Sequence, residues 1–170
     1  GYCIYVEEIV RTIRMLTRFP GIFLVVKLHP REIDFESRMP PAKEIEERDP
    51  TSWVTYVGND VFTPQLVEWG EIFLSIATGA VYHPLKLSKP VLELSYAMGF
   101  MTVLAKYLPC ADIRYRDRLI ALIWQFKELP ANERSSHYYD RVDLENFLHT
   151  FVESDTQPTL DAYVNFLQSV

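Results

Sequence analysis

Short apolar runs that alternate with a helical segment constrain the fold of this chain more than any other feature. Residues 22–28, "IFLVVKL", form a continuous apolar and β-branched run, which is typical of a strand buried on both faces. Similar runs follow at 52–58, 71–76 and 89–94, and residues 63–69 between two of them read as a short helix, with Thr63 as its expected N-cap. This alternation predicts βαβ units and a parallel sheet with right-handed crossovers.

Helical patterns occupy both ends of the chain. Residues 4–16 carry apolar side chains at helical spacing, and beyond residue 96 the strand pattern disappears. Segments 98–108, 116–126, 144–152 and 159–169 read as helices, whereas "SSHYYD" at 135–140 reads as a polar loop. We therefore expect one Rossmann-like three-layer α/β domain over residues 1–170, with 97–170 mainly helical.

The composition narrows the class of protein. A net charge of −6 with scattered Lys and Arg argues against nucleic-acid binding. Cys3 and Cys110 lie far apart and form no ligand set, so we expect no structural metal and a cytoplasmic location. No apolar run reaches the roughly 18 residues of a membrane span, which leaves peripheral membrane association open. Because the first residues already read as a helix, we expect a fragment of a larger protein.

The loop after the third strand is a candidate anion site. The small residues Ser75, Thr78 and Gly79 lie between a strand and a helix, at the carboxyl end of a parallel strand, where ligands of such sheets bind. Free N–H groups at the start of that helix, with the Thr78 hydroxyl, would favour an anion. The alternative is structural: Thr78 caps the helix and Gly79 makes the turn.

A second candidate is the end of the first strand, "VVKLHPRE" at 25–32. Lys27, His29 and Arg31 alternate as in a strand, so their side chains could emerge on one side and suit a phosphate or diphosphate. In the alternative reading Lys27 extends from the strand end to solvent and His29 is an ordinary histidine before a turn. His83 could reach a sugar hydroxyl or lie on the surface.

Several common chemistries lack their motifs. The chain contains no GxSxG, no Walker A sequence and no GxGxxG fingerprint, which disfavours serine hydrolases, P-loop nucleotide sites and nicotinamide or flavin dinucleotides. No carboxylate–histidine cluster has metal-ligand spacing, so we expect no metal. The chain offers no identifiable catalytic base or nucleophile.

The order of these motifs resembles a known family. "LVVKLHPRE", a strand ending in "YVG", and "TPQLVEWGEIFLSIATGAVYHPLKLSKPVLEL" resemble the C-terminal half of GT-B-fold glycosyltransferases that make bacterial surface and capsular polysaccharides. The layout is also similar to that of UDP-N-acetylglucosamine 2-epimerases. The likeness covers about residues 1–96 and, more loosely, 151–167.

The resemblance implies a donor-binding function. It implies that this half binds the nucleotide diphosphate of a UDP- or CMP-linked sugar, that His29 and Lys27 lie near the diphosphate, and that Val57 borders the base. It further implies that Thr78, Gly79 and Ala80 donate to the phosphates, and that the acceptor site and catalytic base belong to an N-terminal domain outside this chain.

One departure leaves alternatives open. Where the family commonly has a ribose-binding Glu, this chain has His83 followed by Pro84. An imidazole can bond to a hydroxyl but lacks the bidentate grip of a carboxylate. A glycosyltransferase donor domain is therefore our leading expectation, and a 2-epimerase-like domain or a degenerate, non-catalytic interaction domain are its rivals.

Overall fold

The fold is mixed α/β, with short parallel strands surrounded by helices. The computed structural model describes residues 2–27, 39, 51–58, 60–76 and 78–152. Its strands are β1 (Phe23–Lys27), β2 (Trp53–Val57), β3 (Phe73–Ser75) and β4 (Val91–Glu93). β1 pairs with β2 and β3 pairs with β4, both in parallel. The expectation of parallel strands is confirmed, and each strand is shorter than its apolar run.

The helices follow the strands in the expected alternation. They are α1 (Tyr2–Leu16), α2 (Thr63–Trp69), α3 (Tyr82–Lys86), α4 (Ser95–Met98), α5 (Val103–Tyr107), α6 (Arg116–Glu128), α7 (Ala131–Tyr138) and α8 (Arg141–Phe151). Two single turns of 3₁₀ helix precede α3 and follow α5, at Gly79–Val81 and Pro109–Ala111. The helix predicted at 159–169 lies outside the described residues.

The strand arrangement differs from the single continuous sheet that the sequence predicts. In the described part of the chain, the strands form two separate two-stranded sheets, β1–β2 and β3–β4. α2 leads from the carboxyl end of β2 to the amino end of β3, which is the connection that parallel strands require.

One apolar cluster joins the strands to the helices. α1 contributes a buried stripe at helical spacing, and most of the fully buried members of the cluster come from β4 and the segments after it, together with Leu85 of α3 and Val54 of β2. These residues include Val6, Ile9, Ile13, Leu16, Val54, Leu85, Val91, Leu92, Leu108, Leu119 and Phe126. Burying a Leu or Phe side chain contributes roughly 1.5–3 kcal/mol, so this cluster is the main source of stability.

Two helix boundaries correct the sequence predictions. α2 has Phe62 rather than Thr63 as its N-cap, with no side-chain cap, because Thr63 already belongs to the helix. The helix predicted over 98–108 is divided into α4 and α5 by Gly99. Gly99 has φ 74°, a left-handed conformation that ends a helix and that residues with a Cβ adopt only at a cost.

The prediction of a polar loop at 135–140 is wrong. Most of this segment belongs to α7, and Tyr138 and Tyr139 are buried against β4. The single proton of the Tyr138 hydroxyl is shared between the carbonyls of Val91 (3.0 Å) and Cys110 (2.8 Å). The Tyr139 hydroxyl accepts from Val91 N–H (2.7 Å) and donates to the Lys89 carbonyl (3.1 Å). The motif therefore holds β4 in place.

Within the described ranges, no helix is both long enough and apolar enough to cross a membrane.

Candidate functional site

Lys27 ends β1 and ties it to the loop that follows β2. Its ammonium donates to the carbonyl oxygens of Gly58 (2.8 Å) and Val61 (2.7 Å). An ammonium has three N–H donors, so two are already used by the backbone. The structure thus gives Lys27 a structural role, and its predicted contact with a diphosphate stays a prediction.

Val57 and Gly58 form the matching end of β2. Val57 is half-buried and pairs with Lys27 in the parallel register. A Cβ added to Gly58 would lie 3.0 Å from the Asp60 carboxylate, so the turn has little room for a side chain there. The structure therefore brings Lys27 and Val57 together at one end of the paired strands. The predicted contact of Val57 with a base is not tested by this geometry.

The loop after β3 is exposed to solvent. Thr78, Gly79 and Ala80 are exposed, and a Cβ added to Gly79 would meet nothing within 4 Å. The Thr78 side chain accepts a hydrogen bond from Ala80 N–H at 3.2 Å, so Thr78 does cap the 3₁₀ turn. Gly79 has no positive φ, and the backbone conformation therefore does not require glycine at this position.

Ser75 is the last residue of β3 and precedes this loop in the sequence. Its side chain is buried, with 4% exposed, and among the described residues its hydroxyl oxygen has no hydrogen-bond partner. An unmade hydrogen bond at a buried hydroxyl costs about 1–3 kcal/mol, so such groups are uncommon in folded proteins. The sequence reading counted Ser75 among the small residues of this loop and assigned it no role in binding.

His83 lies in the first turn of α3. Its Nε2 atom is buried and has no hydrogen-bond partner in the described part of the chain. Pro84, the next residue, is buried and is accommodated in this first turn. His83 is therefore not a fully solvated surface residue, and a ring nitrogen remains available for a bond that the described residues do not supply.

His29 and Arg31 lie outside the described residues. Their predicted contacts with a phosphate stay predictions. The structure describes two groups of predicted ligand contacts, Lys27 with Val57 at one strand end and Thr78–Ala80 in the loop after β3. Among the described side chains, no hydrogen bond joins one group to the other.

Two buried carboxylates at the carboxyl end of β4 were missed by sequence reasoning. Glu93 is 1% exposed and Asp112 is 5% exposed, and the two residues form a parallel β-bridge. Glu93 accepts a hydrogen bond from the Thr102 hydroxyl. Asp112 accepts from the Ser95 hydroxyl and, at 2.5 Å, from Arg114 Nε, which raises the pKa of Arg114. The available signal was a Glu inside the apolar run "PVLEL".

These carboxylates organise the segment after β4. Ser95 begins α4 and Thr102 caps α5, where its hydroxyl oxygen also accepts from Ala105 N–H at 3.2 Å. The loop between these helices carries Phe100 and Met101, both largely exposed. The carboxylates therefore fix the start of both short helices. Among the described residues, no group of three or more His, Cys, Asp or Glu side chains is arranged to hold a metal ion.

Comparisons with models of protein families, with curated proteins and with solved structures found no match to this chain.

Proposed function

We propose that this chain is the donor-binding domain of a glycosyltransferase that uses a nucleotide sugar in the synthesis of cell-surface polysaccharide. The observation that carries this proposal is the loop after β3. It follows the carboxyl end of a parallel strand and is exposed at Thr78–Ala80. It is flanked by two buried polar atoms, Ser75 Oγ and His83 Nε2, that have no hydrogen-bond partner among the described residues. Carboxyl ends of parallel strands are where such sheets bind ligands.

The chemistry proposed for this loop is binding and charge stabilisation. Ser75 and Thr78 would offer hydroxyl groups. Gly79 would let a ligand approach the backbone, because no atom of the described residues other than its chain neighbours lies within 4 Å of the place of its missing Cβ. His83 would bond a sugar or ribose hydroxyl through Nε2. The third N–H of Lys27, with His29 and Arg31, would stabilise the negative charge that develops on the leaving diphosphate. The catalytic base would come from a further domain.

The test is nucleotide binding by the 170-residue chain. UDP, CDP and CMP are added at millimolar concentration while thermal unfolding is followed. A ligand present at about 100 times its dissociation constant stabilises the folded state by roughly 2.7 kcal/mol, and this rise in melting temperature is the expected result for at least one nucleotide. No rise with any of the three would refute the proposal.

Ser75→Ala locates the site. If the unpartnered hydroxyl serves a ligand, the variant keeps or gains stability without nucleotide, because a buried unmade bond is removed, and it binds nucleotide more weakly. Ser136→Ala is the matched control, since Ser136 is on α7 and its hydroxyl donates to its own helix, to the Glu133 carbonyl. Equal loss of affinity in both variants would remove Ser75 from the site.

A histidine pair tests the other strand end. His29→Ala should weaken nucleotide binding, whereas His149→Ala, at an exposed position near the end of α8, should leave binding unchanged. Undiminished binding by His29→Ala would exclude His29 from the site.

A non-catalytic interaction domain is the second candidate, and specific contacts favour it. Lys27 and Thr78, two of the proposed ligand contacts, already have structural partners in Gly58, Val61 and Ala80. This function predicts no response to any nucleotide. A 2-epimerase-like domain would bind UDP in the same assay and would be separated from a transferase by UDP-N-acetylglucosamine epimerisation in the full-length protein.

A further inference from the structure

Large apolar side chains are exposed together at the loop between α4 and α5 and on α5 itself. Phe100, Met101, Val103 and Tyr107 are each between 49% and 59% exposed. They are four of the twelve large hydrophobic side chains exposed in the described ranges, and they fall within eight consecutive residues. Single exposed apolar residues are ordinary, whereas a group of this kind marks an interaction site. We call these four residues the 100–107 surface.

The helical part of this surface is fixed by the opposite face of α5. Leu104 and Ala105 are buried in the core. Val103 and Tyr107 are one helical turn apart and therefore lie on the same, exposed side of the helix. The Tyr107 ring also contacts Phe151 at the end of α8, with 4.8 Å between the ring centroids. α5 cannot turn its exposed pair inward without exposing the buried pair.

The loop before α5 is bonded to buried carboxylates at both ends. At its start, the Ser95 hydroxyl donates to Asp112, and the N–H of Gly99 donates to the Ser95 carbonyl at 3.0 Å. At its end, the Thr102 hydroxyl donates to Glu93. Glu93 and Asp112 are themselves joined by a parallel β-bridge. The exposed side chains at 100 and 101 are therefore carried by a backbone that is fixed on either side of them.

Two cations lie at the α5 end of the surface. Lys106 is exposed on α5, and its ammonium lies 5.3 Å from the centre of the Tyr107 ring. Arg118 donates from its guanidinium to the Cys110 carbonyl at 3.1 Å. Cys110 belongs to the 3₁₀ turn that follows α5, so this contact places Arg118 beside the end of the helix.

A third cation lies at the start of the loop. Arg114 donates to one oxygen of the Asp112 carboxylate, and Ser95 donates to the other. The exposed charged residues of 94–118 are these three cations, Lys106, Arg114 and Arg118, and one anion, Asp117. The chain as a whole has a net charge of −6. The exposed charge next to the surface is therefore positive in a chain that is otherwise acidic.

We propose that the 100–107 surface docks on an anionic phospholipid bilayer. Its four apolar side chains would enter the boundary between headgroups and acyl chains. The three cations would lie at the level of the lipid phosphates. Aromatic and large apolar side chains beside Lys and Arg suit this boundary, because the burial of apolar area and the attraction to anionic lipids act together.

Area and charge favour a bilayer over a second copy of this chain. With roughly 200 Å² accessible on each fully exposed side chain of this size, four half-exposed side chains offer about 400 Å². A stable protein–protein interface needs about 800 Å² from each partner. Symmetric pairing of two copies through this surface would also bring their cations together, which opposes association. A bilayer supplies the opposite charge and needs no complementary shape.

Vesicle sedimentation with the 170-residue chain tests the inference. One set of vesicles is phosphatidylcholine alone, and the other is an equal mixture of phosphatidylcholine and phosphatidylglycerol. Because several cations act together, we expect binding to the mixed vesicles to be at least about tenfold tighter. Added salt should reduce this preference, since it screens exposed charges.

Phe100→Ser and Phe62→Ser form a matched pair of variants. Phe62 is 64% exposed, close to the 59% of Phe100, and precedes α2 elsewhere in the chain. We expect Phe100→Ser to weaken binding to the mixed vesicles at least about tenfold, because the bilayer no longer buries the ring, and Phe62→Ser to leave binding unchanged. Since both rings are exposed, circular dichroism should show that both variants are folded.

Three results would overturn the inference. The first is binding to the mixed vesicles that is absent or no tighter than binding to phosphatidylcholine alone. The second is an equal effect of Phe100→Ser and Phe62→Ser on vesicle binding. The third is association of the chain with itself in the absence of vesicles that Phe100→Ser abolishes, which would assign the surface to a second copy. None of these outcomes depends on nucleotide binding.

Discussion

Replacing Tyr139 by phenylalanine removes one hydroxyl that makes two hydrogen bonds to the same strand. The hydroxyl accepts from Val91 N–H at 2.7 Å and donates to the Lys89 carbonyl at 3.1 Å. Val91 is 0% exposed, so water cannot replace the lost acceptor. The ring stays in place, and its contact with Tyr138, at 4.7 Å between centroids, is retained. The substitution therefore isolates the hydroxyl group.

The expected loss is set mainly by the Val91 N–H. A buried donor left without an acceptor costs about 1–3 kcal/mol. For a domain of this size, 1 kcal/mol corresponds to roughly 2–4 °C, so the melting temperature should fall by about 2–12 °C. Urea unfolding followed by circular dichroism should give the same loss of free energy, with an unchanged dependence on urea concentration.

Tyr115→Phe is the matched control. Tyr115 is 71% exposed, and the same chemical change there should alter the free energy of unfolding by less than about 0.5 kcal/mol. If Tyr139→Phe is as stable as Tyr115→Phe, the hydroxyl does not hold β4, and the role given to this motif is refuted.

Three further outcomes are expected. Burial raises the pKa of Tyr138 and Tyr139 above the ordinary value of about 10, so the stability that these neutral tyrosines contribute is complete below about pH 10 and falls as the pH rises above it. Replacing both tyrosines by Phe should therefore flatten the loss of melting temperature between about pH 9.5 and 11. An unchanged slope would contradict this expectation. Lys89→Met removes three hydrogen bonds of 2.7 Å to carbonyls at the end of α2 and should cost about 2–3 kcal/mol in urea unfolding, whereas exposed Lys106→Met should cost little. Thr102→Val removes both the hydroxyl that donates to Glu93 and the cap of α5, and it should lower the free energy of unfolding by about 2–4 kcal/mol. Thr78→Val removes one exposed cap and should lower it less. The reverse order would contradict the role of Glu93.

The strands and their direction could be predicted from the sequence because each carries its own local signal. The run at 22–28 is apolar and β-branched, and the run at 89–94 repeats this pattern after Pro90. Their ends could not be predicted, since β3 and β4 extend only as far as they pair with each other. The separation into two pairs likewise depends on neighbours in space, which periodicity does not encode.

The errors have distinct physical causes. The segment 98–108 kept helical spacing of its apolar residues, and this outweighed the helix-ending tendency of Gly99. "SSHYYD" was judged by its polar residues, although a tyrosine has an apolar ring that can be buried while its hydroxyl finds a partner. Thr63 was taken as a cap by residue type, but Phe62 has the extended backbone that a cap needs.

For the candidate site, the sequence predicted the position better than the burial. Thr78 and Gly79 were expected between a strand and a helix, and the structure has them there. Ser75 and Glu93 are buried only in the folded structure, where Glu93 accepts from Thr102 and forms a bridge with Asp112, so composition alone does not reveal their burial. A carboxylate within an apolar strand is the one local signal that would have found Glu93.

The hydroxyls of Tyr138 and Tyr139, which bond to β4, also limit how this protein can associate with copies of itself. Exposed strand edges recruit other strands, and uncontrolled pairing of this kind leads to aggregation. On β4, Val91 N–H donates to the Tyr139 hydroxyl, Val91 C=O accepts from the Tyr138 hydroxyl, and the Glu93 carbonyl accepts from Ile113 N–H, so in the described part of the chain no free backbone row remains on that side. Tyr138 and Tyr139, at the end of α7, thereby end the β3–β4 sheet on the side of β4. We expect that this edge does not pair with strands of other copies and does not promote fibril formation, even at high protein concentration.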